Sequence, residues 1–213
     1  MKRTVFFFAL TALLATPAVA QWLGEPVWNS PSGGTGVTIS GDYAHPNEGY
    51  GKGNTWGGRA SLGLSTITLT AGVASWKPAG ATQSLTSVGG NVAFRLIGGS
   101  LLPVAINLQL GGASTSSSGV AAKATTVIGA AGISVPLPTP GFTIEPYFSP
   151  GIRYRNSGGG TNTTNFGYVF GANLGFGLVG IHLAYDHEHQ SNTPGTSVFG
   201  VGAHLNLHLP VGM

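Results

Sequence analysis

Along most of this chain, apolar and polar side chains alternate one by one. Val104, Ile106, Leu108 and Leu110 take one side of a run, and Ala105, Asn107 and Gln109 take the other. Phe142, Ile144, Phe148, Ile152 and Tyr154 oppose Glu145, Tyr147, Ser149, Arg153 and Arg155. Phe166, Tyr168, Phe170, Leu174 and Phe176 repeat the pattern, as do Phe199, Val201, Leu205, Leu207 and Leu209 against His204, Asn206 and His208. A period of two belongs to an extended strand with two unlike faces. It predicts ten strands, over 36–45, 55–64, 66–76, 86–97, 102–113, 123–135, 142–155, 165–177, 179–190 and 197–209. Each has room for the about 9–11 residues that cross a bilayer at a tilt.

The connections alternate too. Tight turns are predicted near Leu64-Ser65, at Gly98 to Leu101, at Pro136 to Gly141 and near Leu178-Val179. Between them lie longer runs of Gly, Ser, Thr and Asn, such as Pro46 to Asn54, Ser114 to Ala122 and Asn156 to Thr164. Short turns at one end and long loops at the other define an up-and-down antiparallel barrel in an outer membrane, with an even strand count and both termini on the periplasmic side. The barrel must close, because an open sheet edge in hydrocarbon leaves backbone groups unpaired at several kcal/mol each. The expected fold is therefore all-β: a single closed transmembrane β-barrel of ten strands. Eight is the alternative, with the weakly patterned 123–135 as a loop.

Composition decides which face is outside. Only 7% of residues are charged, against about 25% in a soluble domain. The strand arginines fall on the polar face, and Lys52, Lys77 and Lys123 fall in or beside long loops. A water-soluble sandwich would turn its apolar face inward; here the apolar face is expected outward, against lipid.

Residues 1–20 read as a secretory signal peptide. Lys2 and Arg3 precede the apolar run Val5 to Ala15, which is too short to span a bilayer, and Ala18-Val19-Ala20 is a small-residue cleavage site. The mature chain then holds seven basic against six acidic residues, which gives no warrant for nucleic-acid binding, and no nucleic-acid partner is expected. The chain has no Cys, hence no disulfide and no thiolate metal site. Residues 21–35, with Trp22, Trp28, Pro26 and Pro31, read as a periplasmic lead-in, and residues 36–213 as the barrel.

The leader, the strand rhythm and the final strand resemble the small bacterial outer-membrane β-barrels of the OmpA-like and opacity-like class. Gly202-Ala203-His204-Leu205-Asn206-Leu207, a glycine followed by spaced apolar residues, is similar to the signal by which that class is assembled. The resemblance implies a bacterial outer-membrane location, with the barrel-assembly machinery and outer-membrane lipid, lipopolysaccharide included, as partners. It implies no cofactor and no catalytic residue.

Three groups of residues hold candidate chemistry. Asp42, Arg59, Arg95, Glu145, Arg153, Arg155, Asp186 and Glu188 face inward as a charged network, either as a self-satisfied filling or as a solute-selecting lining. A symmetric first hairpin sets Asp42 across from Arg59. His182, His204 and His208 form a weak metal candidate, since three imidazoles in one patch suit a divalent ion. Asp186, Glu188, His189, Asp42, His45 and Glu48 are a candidate acid–His cluster at the outer rim. Inward glycines at 57, 63, 89, 167, 171, 175, 200 and 202 either make room for long side chains or leave a water path. The expected role is non-enzymatic, structural or surface-directed, with a side-chain-filled lumen. A narrow passive channel is the alternative, and a rim hydrolase the third reading.

Overall fold

The computed structural model describes residues 22–99, 102–117, 120–157, 162–190 and 195–207. The signal peptide 1–20 and His208 lie outside these residues. Eleven strands are formed: β1 (Thr35–Pro46), β2 (Asn54–Leu64), β3 (Ile67–Lys77), β4 (Leu85–Gly99), β5 (Leu102–Ser117), β6 (Val120–Ser134), β7 (Leu137–Thr139), β8 (Phe142–Asn156), β9 (Asn162–Phe176), β10 (Val179–Glu188) and β11 (Thr196–Leu207). Chain neighbours pair antiparallel from β1 to β6 and from β7 to β11, β1 pairs with β11, and β6 pairs with β8, so the wall closes. β7 is a three-residue resumption of β6 beyond Val135-Pro136, and both run along β8. The wall is thus ten strands around, a closed antiparallel up-and-down transmembrane-type barrel.

The region 123–135, the alternative loop, belongs to β6, which pairs with β5 over Ala124–Ser134 and with β8 over Thr125–Ala130 and Ile133–Ser134. Three expected connections differ, one of them because Asn156 and Asn162–Thr164, read as loop, extend β8 and β9. Ser114–Ser117 and Val120–Ala122, read as loop, extend β5 and β6, because a strand that rises beyond the apolar band can carry Ser and Thr on both faces. Residues 137–139, read as part of a turn, pair with β8.

The two faces fall as the alternation requires. Outside, Trp56 is 66% exposed and Ile152 58%, with Phe166, Phe170 and Phe199 around them. Inside, Asp42 is 4% and Glu188 1% exposed. A wall with large apolar groups outside and carboxylates inside is the inverse of a soluble protein, and it suits hydrocarbon.

The hydrophobic core was not on any expected surface. It is built from Trp22, Val27 and Trp28 of the N-terminal segment against Ala74, Ile128, Tyr147, Val169 and Ala184 of the wall. The segment expected as a periplasmic lead-in instead lies inside the barrel. Its Trp22 end approaches Ser87 and Tyr50 near the long loops. Its Gly33 end lies by Ser65 at the β2–β3 turn. The chain therefore runs down the lumen and reverses at Gly33-Gly34 to enter β1; Gly33 has φ +62, which glycine adopts without a steric penalty.

Candidate functional site: an internally plugged lumen

Pro26 and Pro31 keep residues 22–33 out of a helix and deny it two ladder donors. Its polar groups are met instead by wall side chains. Val27 N–H donates to Asp186 Oδ2 at 2.9 Å. Asn29 Nδ2 donates to Asn107 Oδ1 at 3.2 Å, and Asn107 Nδ2 donates back at 2.9 Å. Glu145 accepts from Ser30 Oγ at 2.8 Å, Ser32 N–H at 2.8 Å, Ser134 Oγ at 2.8 Å and Asn173 Nδ2 at 3.1 Å. Arg95 Nη1 donates to the Ser32 carbonyl at 2.5 Å. Within the segment, Trp28 Nε1 donates to Glu25 Oε2 at 2.9 Å.

The wall is hollowed to receive this segment. A Cβ on Gly200 would lie 2.8 Å from Pro26 and Trp28, and one on Gly57 would lie 2.4 Å from Glu25. A Cβ on Gly132 would lie 2.1 Å from Asn29. Each of these inner-face glycines thus makes room for a specific side chain of the segment. Gly167 and Gly171 do the same for Arg153 and Tyr147.

The charged network forms three separate groups. Nearest the long loops, Arg153 meets Asp186 at 2.5 Å and Glu188 at 3.5 Å, while Arg155 meets Glu188 at 2.5 Å. Asn165 Nδ2 also donates to Glu188, at 2.7 Å. At mid-height, Arg59 binds Asp42 through Nε at 2.8 Å and Nη2 at 3.1 Å. The strand register differs from the symmetric hairpin: Asp42 sits opposite Gly57, and Arg59 sits opposite Ser40. A slip of two keeps both side chains on the inner face, so they meet diagonally. The third group, toward the short turns, is Glu145 and Arg95, both spent on the N-terminal segment.

His182 joins the middle group. Its Nε2 lies 2.5 Å from Asp42 Oδ1, and its Nδ1 lies 3.1 Å from His204 Nδ1. The same Nε2 lies 2.9 Å from Arg59 Nη2, so carboxylate, guanidinium and imidazole converge on one atom. Trp28 packs edge-on to His182 at 4.6 Å, and the Arg59 guanidinium lies 4.8 Å over the Trp28 ring. His182 and His204 are adjacent, as expected. Among the described residues, however, no group of three side chains is arranged to hold a metal.

The acid–His rim cluster is not assembled. Asp186 and Glu188 are buried against arginines. His45 bonds Asn54, and Glu48 pairs with Lys52 in the exposed β1–β2 connection. His189 is exposed. Glu48 is the one rim carboxyl whose acidity the loop controls: the Lys52 ammonium beside it holds it below its ordinary value of 4.5.

Below Trp28 the lumen is open. A cavity of about 1200 Å³ extends to the short-turn end, lined by Ser61, Thr70, Asn91, Asn173, His204 and Asn206 among others. Above Trp28 a void of about 10 Å³ remains beside Trp22, Glu25 and Arg153. The residues that sequence reasoning missed are Trp22, Glu25, Trp28 and Asn29. The signal lay in two regions at once: bulky side chains in a supposed tail, and inward Gly57 and Gly200 on β2 and β11, whose space is taken by that tail.

Fold and lumen together define a ten-stranded transmembrane-type barrel filled over part of its height by its own N-terminal segment. No protein-family model matches the chain, and no curated protein matches it significantly. Among solved structures, the chain is similar to the N-terminal β-barrel domain of Pseudomonas aeruginosa OprF, at 12% identity over 82% of this chain and 99% of that one, with a TM-score of 0.35. Neisserial surface protein A is similar at 13% identity over 81% and 98%, with a TM-score of 0.40. The Escherichia coli outer-membrane protease OmpT is similar at 10% identity over 81% and 94%, with a TM-score of 0.41. These are all outer-membrane barrels; at such TM-scores the likeness carries no argument about activity.

Proposed function

We propose that this chain is an exported outer-membrane barrel with a non-enzymatic, structural or surface-directed role, and that its lumen is closed to solutes. The observation that carries this reading is the N-terminal segment, packed against the wall through Trp22, Val27 and Trp28 and bonded to it at Val27, Asn29, Ser30 and Ser32. Supporting the membrane location are the low charge and the apolar exterior. Supporting the non-enzymatic role is the engagement of Asp186 and Glu188 in ion pairs, which leaves them no free geometry for acid–base work. Lipid, including lipopolysaccharide, surrounds the wall in this reading. The barrel-assembly machinery inserts it through the Gly202–Leu207 strand end.

Planar-bilayer recording of the purified, refolded protein tests the reading. No openings are expected, and steady openings of the unmodified protein would defeat it. The narrow-channel reading draws on the cavity of about 1200 Å³, which already crosses the short-turn part of the lumen.

A further inference from the structure

We propose that residues 22–33 form a removable stopper, and that the barrel has a second function as a latent pore for small, polar, uncharged solutes. The proposal rests on the membrane-barrel reading and goes beyond its closed state.

The first ground is that the wall does not need the segment. β1 pairs with β11 over Val37–Pro46, and β6 pairs with β8, so the cylinder closes by strand ladders alone. Among the described residues, no backbone–backbone hydrogen bond ties residues 22–32 to a strand; those within the segment are local, Glu25 N–H to the Trp22 carbonyl and Gly33 N–H to the Ser30 carbonyl. The segment is held by side chains, which can exchange their partners for water one at a time. Its upper part is the less satisfied: Trp22 Nε1 and Glu25 Oε1 are buried without hydrogen-bond partners.

The second ground is the shape that withdrawal would leave. The cavity from the short-turn end already reaches Trp28. Beyond it, small side chains form part of the inner wall: Ala44, Thr55, Ala74, Ser87 and Ala184 are each at most 2% exposed, alongside the larger Ile128, Tyr147, Val169 and Arg153. Trp22, Val27 and Trp28 cluster with Ala74 and Ala184, Leu23 N–H donates to Ser87 Oγ, and Gly24 lies beside Thr55. A wall without a stopper would fill such positions with long side chains, as small barrels do.

The third ground sets the solute. The wall's carboxylates at and above mid-height are paired with wall arginines: Asp42 with Arg59, Asp186 with Arg153, Glu188 with Arg155. None of these pairs needs the segment. The opened lumen would keep them, so its lining is charge-balanced, with hydroxyl and amide groups between. Such a lining favours neutral polar solutes and discriminates weakly between small cations and anions.

The experiment uses full-length protein, which has no native Cys. Two variants weaken the stopper: Trp28→Gly alone, and Trp22→Ser with Trp28→Gly and Asn29→Ala. Each is also made with Ala44→Cys as a reporter on the covered wall. Barrel integrity is read from heat-modifiable gel mobility, openings from planar bilayers, and access from labelling by a small thiol reagent. Expected are a silent, unlabelled parent and variants that gain discrete openings, near-equal potassium and chloride permeability, and labelling at position 44. A silent parent with silent, unlabelled, correctly folded variants overturns the stopper and leaves the closed-barrel reading standing. A parent that conducts and labels as fully as the variants overturns both. Should the triple variant not fold, Trp28→Gly alone decides by the same readings.

Discussion

The two halves of the lumen share one wall and one strand period, yet they are opposite in content. Toward the long loops, the interior is dry and filled by Trp22, Val27 and Trp28, with Arg153, Arg155, Asp186 and Glu188 locked together beside them. Toward the short turns, the same strands enclose a cavity of about 1200 Å³ lined by Ser, Thr and Asn. The difference comes from the path of the chain rather than from the wall. Where the N-terminal segment is bulky, the wall is hollowed by Gly57, Gly200, Ala74 and Ala184, and Ile128, Tyr147 and Val169 close the cluster. Where it narrows to Ser30, Ser32 and Gly33, nothing fills the remaining width. A barrel interior is thus a joint product of wall and insert, and inward polarity alone does not say whether it is full.

The largest test of the contrast lies in the dry half. Arg153→Met leaves Asp186 buried without its cation, and Glu188 with Arg155 alone. Removing one partner of a buried pair costs about 3–5 kcal/mol, read as a lower urea midpoint on heat-modifiable gels. If the upper half were hydrated, the loss would fall to that of an exposed pair. Gly200→Val attacks the fit between wall and insert, because its Cβ alone comes within 2.8 Å of Pro26 and Trp28. Overpacking of this kind costs about 1–3 kcal/mol, while Gly34→Ala, with nothing within 4 Å of its Cβ, is the matched control and should leave the unfolding midpoint unchanged.

Glu145→Gln probes the anchor in the open half. The carboxylate accepts four hydrogen bonds, and the amide keeps one acceptor oxygen. The expected loss is about 1–2 kcal/mol, with raised proteolysis at Ser30–Gly33 as the local sign. The smallest effect is outside the lumen. Glu48 titrates below its ordinary 4.5 because of Lys52, so their attraction is present above that value and fades as pH falls through the lowered midpoint. Lys52→Ala should move the Glu48 midpoint upward by NMR titration and leave the unfolding curve in place, because both groups are exposed.

The inward set from Arg59 to Glu188 was readable because each strand carries its own period. The meeting of Asp42 with Arg59 survived a register slip of two for the same reason: an even slip preserves the face. Ser114–Ser117 misled because polarity beyond the apolar band is compatible with both loop and strand. Trp22 to Ser32 misled more deeply. Prolines and turn formers read as a tail, and the residues that receive the segment stand far along the chain: 159 positions separate Val27 from Asp186, and 113 separate Ser32 from Glu145.

The sequence by itself determined the strands, the closure and which face is apolar, because alternation and unpaired-edge costs act locally along each strand. Only the tertiary structure decided what occupies the lumen. That depends on volume matching between a proline-bearing segment and glycines on three distant strands, and no local period records such a match.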